Sequence, residues 1–139
     1  MNKLIEELKK INTKYQFKDN KIIIHNEINN NCIEVLEDSN NEYIVIFSTQ
    51  HAHFEDIDDV LDYINDIINE QVLPIEFYLD NKNVFGGDIP LDMFNNLTIK
   101  SLANYFGFSE DYISNLDYQI TSWNGNYDVG RVPVSSISE

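Results

Sequence analysis

Cysteine is nearly absent from this chain of 139 residues, since Cys32 is the only one. One thiol excludes an intramolecular disulfide and a cysteine-rich zinc site, so the core alone must stabilise the fold. The sequence also lacks a run of about 20 apolar residues, the length that a membrane-spanning helix requires. Glu6 and Glu7 interrupt the N-terminal apolar positions, which is not the pattern of a signal peptide. These absences predict a cytoplasmic protein with no membrane partner.

Positive charge is scarce and unevenly placed. The formal net charge is −15, and no Lys or Arg lies between Lys21 and Lys82, a stretch that holds fourteen Asp and Glu. A field of this sign repels nucleic acid and anionic membranes, and it speeds the encounter with basic proteins. We therefore expect a basic protein partner and no nucleic-acid partner. The alternative interpretation is that the acidity only keeps the protein soluble.

Apolar periodicity predicts a single α+β domain over residues 1–139, in which an antiparallel sheet of meander and hairpins packs with about three helices. With 42% hydrophobic residues, the chain has enough apolar material for one core. Helical spacing occurs in three segments, 3–11 (ending with Ile11), 56–71 and 99–106. Alternation typical of strands occurs in 15–47, 73–89 and 118–129. Asn124-Gly125 is typical of a tight hairpin turn, and Gly86-Gly87 indicates a bulge or a close backbone approach.

The helix predicted over 56–71 carries a stripe of carboxylates opposite its apolar face. The members of this stripe are Glu55, Asp59, Asp62, Asp66 and Glu70. Like charges three and four residues apart cost about a few tenths of a kcal/mol per pair, which is evidence for a ligand that neutralises them. The alternative is a solvated face whose first-turn acids favour the N-terminus of the helix. Tyr63 beside the stripe and Trp123 before the Asn-Gly turn are candidate anchors for Arg or Lys of a partner. Either aromatic residue could instead cover the rim of the core.

Two histidines offer a different kind of site. His51 and His53 lie at the end of a predicted strand with their imidazoles on one face, and Glu55 or Asp56 is close in sequence. This pattern makes a small enzyme or metal-binding protein the alternative function. The sequence contains no nucleophile elbow, phosphate loop or dinucleotide fingerprint, so no catalytic residue, metal or cofactor is predicted.

The segment 98–116 resembles the helix-turn-helix of bacterial transcription regulators. Thr98 is placed to cap a helix, and Gly107 is placed to end it. Groove binding requires bases, yet Glu110 and Asp111 occupy the region of a recognition helix. A helix pair used for packing is therefore the favoured interpretation, and a DNA-binding regulator ranks third among the functions.

Three segments of the chain carry a family resemblance. They are His51-Ala52-His53-Phe54 leading into the acidic helix, Ile75-Glu76-Phe77-Tyr78 with Val84-Phe85-Gly86-Gly87, and Ser122-Trp123-Asn124-Gly125-Asn126-Tyr127-Asp128. Together they resemble the small immunity proteins of bacterial polymorphic toxin and contact-dependent growth inhibition systems. The resemblance implies a cytoplasmic protein that binds one cognate toxin, commonly a basic nuclease, and covers its active site. It implies no catalytic residue, and it leaves the oligomeric state open.

Overall fold

The computed structural model describes residues 2–10 and 14–137. These residues form two antiparallel sheets, of five and four strands, together with five α-helices, so the predicted α+β class is confirmed. The chain divides into two compact units, unit 1 (residues 1–69) and unit 2 (residues 70–139). A single domain over 1–139 stays a prediction. Across the described ranges, every helix is too short or too polar to cross a membrane.

Unit 1 combines a five-stranded sheet with two helices. Its elements are α1 (Asn2–Lys10), β1 (Tyr15–Lys18), β2 (Lys21–His25), β3 (Cys32–Glu37), β4 (Tyr43–Phe47), β5 (Gln50–Phe54) and α2 (Ile57–Ile68). The strand order follows the sequence, which confirms the predicted meander. The meander has five strands instead of the three or four that the strand pattern predicts, because residues 50–54, with His51 and His53, form β5. Ile11, the last residue of the first predicted helix, lies outside the described residues.

One face of the unit 1 sheet is buried and the other is partly exposed. In β4 the side chains of Tyr43, Val45 and Phe47 are buried, whereas Ile44 and Ile46 between them are partly exposed. The helices contribute the buried residues Leu4, Leu8, Val60, Ile64 and Ile67 to the interior. The registers of β2 with β3 and of β4 with β5 place all three histidines of the chain on the partly exposed face.

Helix α2 is shorter than its apolar pattern predicts. Its N-cap is Asp56, whose carboxylate accepts a hydrogen bond from the Asp58 backbone N–H at 2.9 Å. The helix ends at Ile68 with Asn69 as its C-cap, and Glu70 then adopts a left-handed φ of 56°. The prediction that the helix continues to residue 71 is therefore wrong, because the chain reverses direction at a left-handed residue.

Unit 2 combines a four-stranded sheet with three helices. Its elements are β6 (Val72–Leu79), β7 (Lys82–Pro90), α3 (Leu91–Asn95), α4 (Ile99–Phe106), α5 (Glu110–Ser114), β8 (Asp117–Ile120), β9 (Val129–Pro133) and a 3₁₀ turn (Val134–Ser136). The strand order is β7-β6-β8-β9. The hairpin between β6 and β7 turns at Asp80 and Asn81, both with positive φ (51° and 66°), as a two-residue hairpin turn requires. The short helix α3 has no counterpart in the sequence prediction.

Two local predictions in unit 2 are confirmed. Thr98 and Ser101 form a reciprocal capping box at the start of α4, and Gly107 ends the helix in the left-handed conformation. A Cβ atom at Gly87 would lie 2.8 Å from Cε1 of Phe106, so this glycine marks a close backbone approach. The irregularity in strand pairing lies elsewhere, opposite the step from Phe77 to Tyr78.

The helix pair α4–α5 serves the core of unit 2. Leu102 and Ala103 of α4 and Ile113 of α5 are buried in one cluster with the sheet residues Leu73, Ile75 and Phe77. With only five residues, α5 is shorter than two helical turns. These contacts support the interpretation of segment 98–116 as a packing motif.

The predicted last hairpin forms, since β8 pairs with β9 in antiparallel register, but the prediction of a tight turn at Asn124-Gly125 is wrong. β8 ends at Ile120, which pairs with Val129 of β9, so residues 121–128 form one long loop. The strand cannot continue through Trp123 because side-chain hydrogen bonds hold this loop in a different path. We call residues 121–128 the 121–128 loop.

Candidate partner-binding surfaces

Four of the five predicted carboxylates form an exposed surface along α2. Glu55, Asp59, Asp62 and Asp66 are all exposed, and we call these four residues the acidic face. Within residues 2–10 and 14–137, the ion pairs join Lys10 to Glu7, Lys14 to Glu27, Lys21 to Glu34 and His53 to Glu42, and none uses the acidic face. The negative charge of the acidic face is therefore not neutralised within the described chain.

Glu70 does not belong to the acidic face, so its placement in the exposed stripe is wrong. It follows the end of α2 and retains only 5% of its accessible surface. Its carboxylate accepts hydrogen bonds from the Asn124 backbone N–H at 3.1 Å and from Nδ2 of Asn126 at 2.6 Å. The physical reason is the left-handed turn at Glu70, which directs the carboxylate to the 121–128 loop. Glu70 thus stabilises unit 2.

Trp123 is also buried, contrary to the prediction that it is an exposed anchor. Its exposed fraction is 6%. Oδ1 of Asp128 accepts hydrogen bonds from the backbone N–H and the hydroxyl of Ser122, at 2.7 and 2.9 Å, and Ser122 Oγ accepts one from the Tyr127 N–H at 3.0 Å. These bonds close the 121–128 loop and place the indole in the interior instead of at a hairpin tip.

Tyr63 is the one predicted aromatic anchor that keeps a partly exposed position. It lies on α2, between the acidic residues Asp62 and Asp66, and its ring contacts that of Phe54 at a centroid separation of 5.3 Å. Because this contact orients the ring, Tyr63 can meet a partner at low entropic cost. The acidic face and Tyr63 together remain the partner surface on unit 1 that the sequence predicts.

A second cluster in unit 1 contains His53. Nδ1 of His53 lies 3.6 Å from Oε2 of Glu42, and Asp38 completes a group whose potential ligand atoms all lie within 4.8 Å of one another. Asp38 is fixed in the turn before β4, since its Oδ1 accepts the backbone N–H groups of Asn40 and Glu42 at 2.8 and 3.0 Å. One imidazole and two carboxylates suit Zn²⁺ or another divalent transition metal.

This cluster differs from the one that the sequence predicts. His51 lies beside His53 with ring centroids 5.5 Å apart, but it is not part of the cluster. The carboxylates come from the turn between β3 and β4 and not from Glu55. A sequence signal existed in the meander itself, because the turn that precedes β4 lies at the same end of the sheet as the last residues of β5.

Unit 2 has an aromatic surface that sequence reasoning missed. Tyr105, Phe108 and Tyr112 are exposed by 53%, 39% and 40%. Phe108 contacts Tyr112 at 5.2 Å and Phe85 at 4.5 Å, Phe85 contacts Phe106 at 5.7 Å, and Phe106 contacts Tyr105 at 5.0 Å between ring centroids. We call these five residues the aromatic ladder. The spacing Tyr105-Phe106-Gly107-Phe108 was the available sequence signal.

A buried Tyr and Glu with an overlying Arg form a third constellation in unit 2. The hydroxyl of Tyr78 donates a hydrogen bond to the buried carboxylate of Glu76. Arg131, the only arginine in the chain, lies over the Tyr78 ring with its guanidinium carbon 3.5 Å from the centroid. Burial raises the pKa of Tyr78, and the bond to Glu76 raises it further. The protein thus holds a guanidinium against an aromatic ring whose hydroxyl is hydrogen-bonded to a buried carboxylate.

The predicted site residues divide between exposed and buried positions. The acidic face and Tyr63 lie together on unit 1, whereas Glu70 and Trp123 are buried in unit 2. Comparisons with protein-family models, with curated proteins and with solved structures found no significant match. The charge, exposure and contacts of these surfaces are the basis for the function proposed next.

Proposed function

We propose that this protein is an immunity-type inhibitor that binds a basic toxin and neutralises it by covering its active site. The observation that carries the proposal is the acidic face, four exposed carboxylates on α2 and just before it, without an ion pair among the described residues. A solvated face would be expected to alternate signs along a helix. Segment 22–81 contains no Lys or Arg, so such a surface attracts a cationic partner.

The physical role of the acidic face is to speed association and to align the partner. Exposed charges act over about 8–10 Å at physiological ionic strength, so they act during encounter more than in the final complex. Tyr63 lies among these charges and offers apolar area together with a ring face for a cation. We expect the protein docked at this face to cover the active site of the toxin and so to block access of its substrate.

The first experiment is affinity capture of the tagged protein from lysate of the source organism, with low-salt and high-salt washes. We expect one basic protein at near-stoichiometric amount at low salt, and its loss at high salt. Expression of the captured protein alone should arrest growth, and co-expression of the inhibitor should restore it. Retention of no basic protein from cells that make it, or toxicity unaffected by co-expression, would overturn the proposal.

Charge reversal tests whether the acidic face is responsible. In the variant Asp59→Lys, Asp62→Lys, Asp66→Lys, we expect the association rate with the captured protein to fall by about 10- to 100-fold at low salt. The matched control places the same charge change at the exposed residues Glu6, Glu27 and Asp92 and should alter the rate far less. Surface plasmon resonance over a series of salt concentrations measures both. Equal rates for the two variants would contradict the assignment of binding to α2.

A second candidate function, divalent metal binding in unit 1, is favoured by the cluster of Asp38, Glu42 and His53. A tetrahedral Zn²⁺ with bonds of about 2.0–2.1 Å sets its ligand atoms roughly 3.3 Å apart. The observed separation of 3.6 Å between His53 Nδ1 and Glu42 Oε2 is close to that value, so a small side-chain movement suffices. A metal held there would connect the turn before β4 to β5.

Calorimetric titration of the chelator-treated protein with Zn²⁺ tests this second candidate. We expect one binding site, and His53→Ala should weaken it by at least about tenfold because the only imidazole of the cluster is lost. His25→Ala is the matched control, since His25 is an exposed histidine of the same sheet face outside the cluster. Binding that is equally strong in the two variants would exclude the cluster as the site.

A further inference from the structure

The aromatic ladder is a contiguous aromatic surface on unit 2 rather than a set of scattered apolar side chains. Three of its rings are exposed by 39–53%, and each ring contacts the next at centroid separations of 4.5–5.7 Å. Single exposed apolar residues are normal on protein surfaces, whereas connected patches mark interaction sites. The buried residue Phe77 packs against this surface from the core. The side chains of Phe108 and Tyr112 are only partly buried.

Contacts with a buried ring and a hydrogen bond fix the orientation of the ladder rings. Phe77 is fully buried, and its ring stacks on Phe85 at 4.4 Å and meets Phe106 edge-on at 5.4 Å. Tyr105 is fixed by a hydrogen bond from its hydroxyl to the backbone oxygen of Asp88 at 3.0 Å. Because these contacts already restrict the rings, a partner that docks on them loses little conformational entropy. Rigid aromatic anchors of this kind are typical of binding hot spots.

Charge next to the ladder selects the chemistry of its partner. Glu110 and Asp111 are exposed on α5, directly before Tyr112 in the chain. Between residues 83 and 130 the only base is Lys100. Rings with carboxylates beside them bind cations through both the ring face and the charge. The same charges exclude nucleic acid from the position where a helix-turn-helix would read it.

The protein already contains one arginine bound in this way. Arg131 lies over the ring of Tyr78, and the hydroxyl of that tyrosine is hydrogen-bonded to the carboxylate of Glu76. A guanidinium is planar and weakly hydrated, so it stacks on an aromatic ring better than an ammonium does. The ladder presents tyrosine and phenylalanine rings near carboxylates at the surface, whereas Arg131, the only arginine of the chain, lies over Tyr78.

We propose that the aromatic ladder docks an arginine-bearing segment of a basic protein, with a guanidinium stacked on Phe108 and Tyr112 and paired with Glu110 or Asp111. Only the identity of the basic protein rests on the proposed inhibitor function. Recognition of arginine by unit 2 is a property that can be measured without the toxin.

The test is a nuclear magnetic resonance titration of the ¹⁵N-labelled full chain with a short peptide of alternating Arg and Gly. We expect saturable shifts of the backbone amides of residues 105–112, and a dissociation constant about 3- to 10-fold weaker for the peptide with Lys in place of Arg. The double variant Phe108→Leu, Tyr112→Leu should weaken Arg-peptide binding by a similar factor, because leucine keeps apolar area but removes the ring face.

Two further variants keep the proposal falsifiable. Tyr15→Leu, Phe17→Leu makes the same chemical change at β1 of unit 1, where Phe17 is 50% exposed, and should leave Arg-peptide binding unchanged. Asp59→Lys, Asp62→Lys, Asp66→Lys should leave the shifts of residues 105–112 in place, which separates this result from the test of the inhibitor function. Equal affinity for the Lys peptide, or shifts confined to α2, would show electrostatic attraction alone and would overturn the proposal.

Discussion

Replacement of Glu70 by alanine should lower the free energy of unfolding by about 2–4 kcal/mol. The buried carboxylate accepts bonds from the Asn124 N–H and from Asn126 Nδ2, and alanine leaves both donors without this acceptor. Hydrogen bonds to a charged group contribute about 1.5–3 kcal/mol each, and a donor left unsatisfied in the interior adds its desolvation cost. Urea unfolding followed by the fluorescence of Trp123, the only tryptophan, measures the change beside the 121–128 loop.

Two variants separate the carboxylate from the backbone at this position. Glu70 has a φ of 56°, where glycine is unstrained, so Glu70→Gly should recover about 1 kcal/mol relative to Glu70→Ala and still unfold well before the wild type. Glu70→Gln keeps one acceptor oxygen and should lie between alanine and wild type. A glycine variant as stable as the wild type would show that the hydrogen bonds contribute no more than the roughly 1 kcal/mol of backbone strain that glycine relieves, and would contradict the prediction.

Local patterns allowed much of the fold to be predicted. The apolar spacing of Val60, Ile64 and Ile67 predicts α2, and all three side chains are buried in unit 1. Thr98 and Gly107 predict the ends of α4, because a cap requires only residues within a few positions of the helix terminus. These patterns involve residues only a few positions apart, so they can be recognised without knowledge of distant contacts.

The path of the chain after the end of α2 and after β8 could not be predicted from local patterns. Glu70 fits the helical stripe of α2, yet its partner Asn126 lies 56 residues away, and that distant contact decides its burial. Trp123 precedes an Asn-Gly pair, but side-chain bonds from Ser122 to Asp128 prevent the tight turn. Local preference is overridden where a carboxylate accepts hydrogen bonds from backbone and side-chain donors of a loop.

The candidate surfaces also differ in whether their residues are close together or far apart in sequence. The acidic face was predicted because Asp59, Asp62 and Asp66 share one helix, so their spacing alone brings them together. The aromatic ladder was missed because Phe85 comes from β7 whereas Phe108 and Tyr112 come from the α4–α5 region. The cluster of His53 with Asp38 and Glu42 was also missed. Its residues come together only because β4, which follows the turn with both carboxylates, pairs with β5.

Replacement of Phe77 by alanine should have the largest effect in unit 2, a loss of about 3–5 kcal/mol in the free energy of unfolding. Phe77 is fully buried on β6, and its ring supports those of Phe85 and Phe106. Alanine removes the buried ring and leaves a cavity that the sheet cannot close without moving. Urea unfolding followed by circular dichroism measures the loss. Where the variant still folds, the Arg-Gly peptide should bind residues 105–112 more weakly, because the ladder has lost its support.

The control for this prediction makes the same change where no core is disturbed. Phe17→Ala, at a side chain that is 50% exposed on β1, should alter the free energy of unfolding by less than about 0.5 kcal/mol. Phe77→Leu should cost about 1–1.5 kcal/mol, since leucine fills most of the volume but cannot stack on Phe85. If Phe77→Ala were no more destabilising than Phe17→Ala, then Phe77 would not be the support of the ladder. The rings of Phe85 and Phe106 would have to be held by their other neighbours, Phe108 and Tyr105.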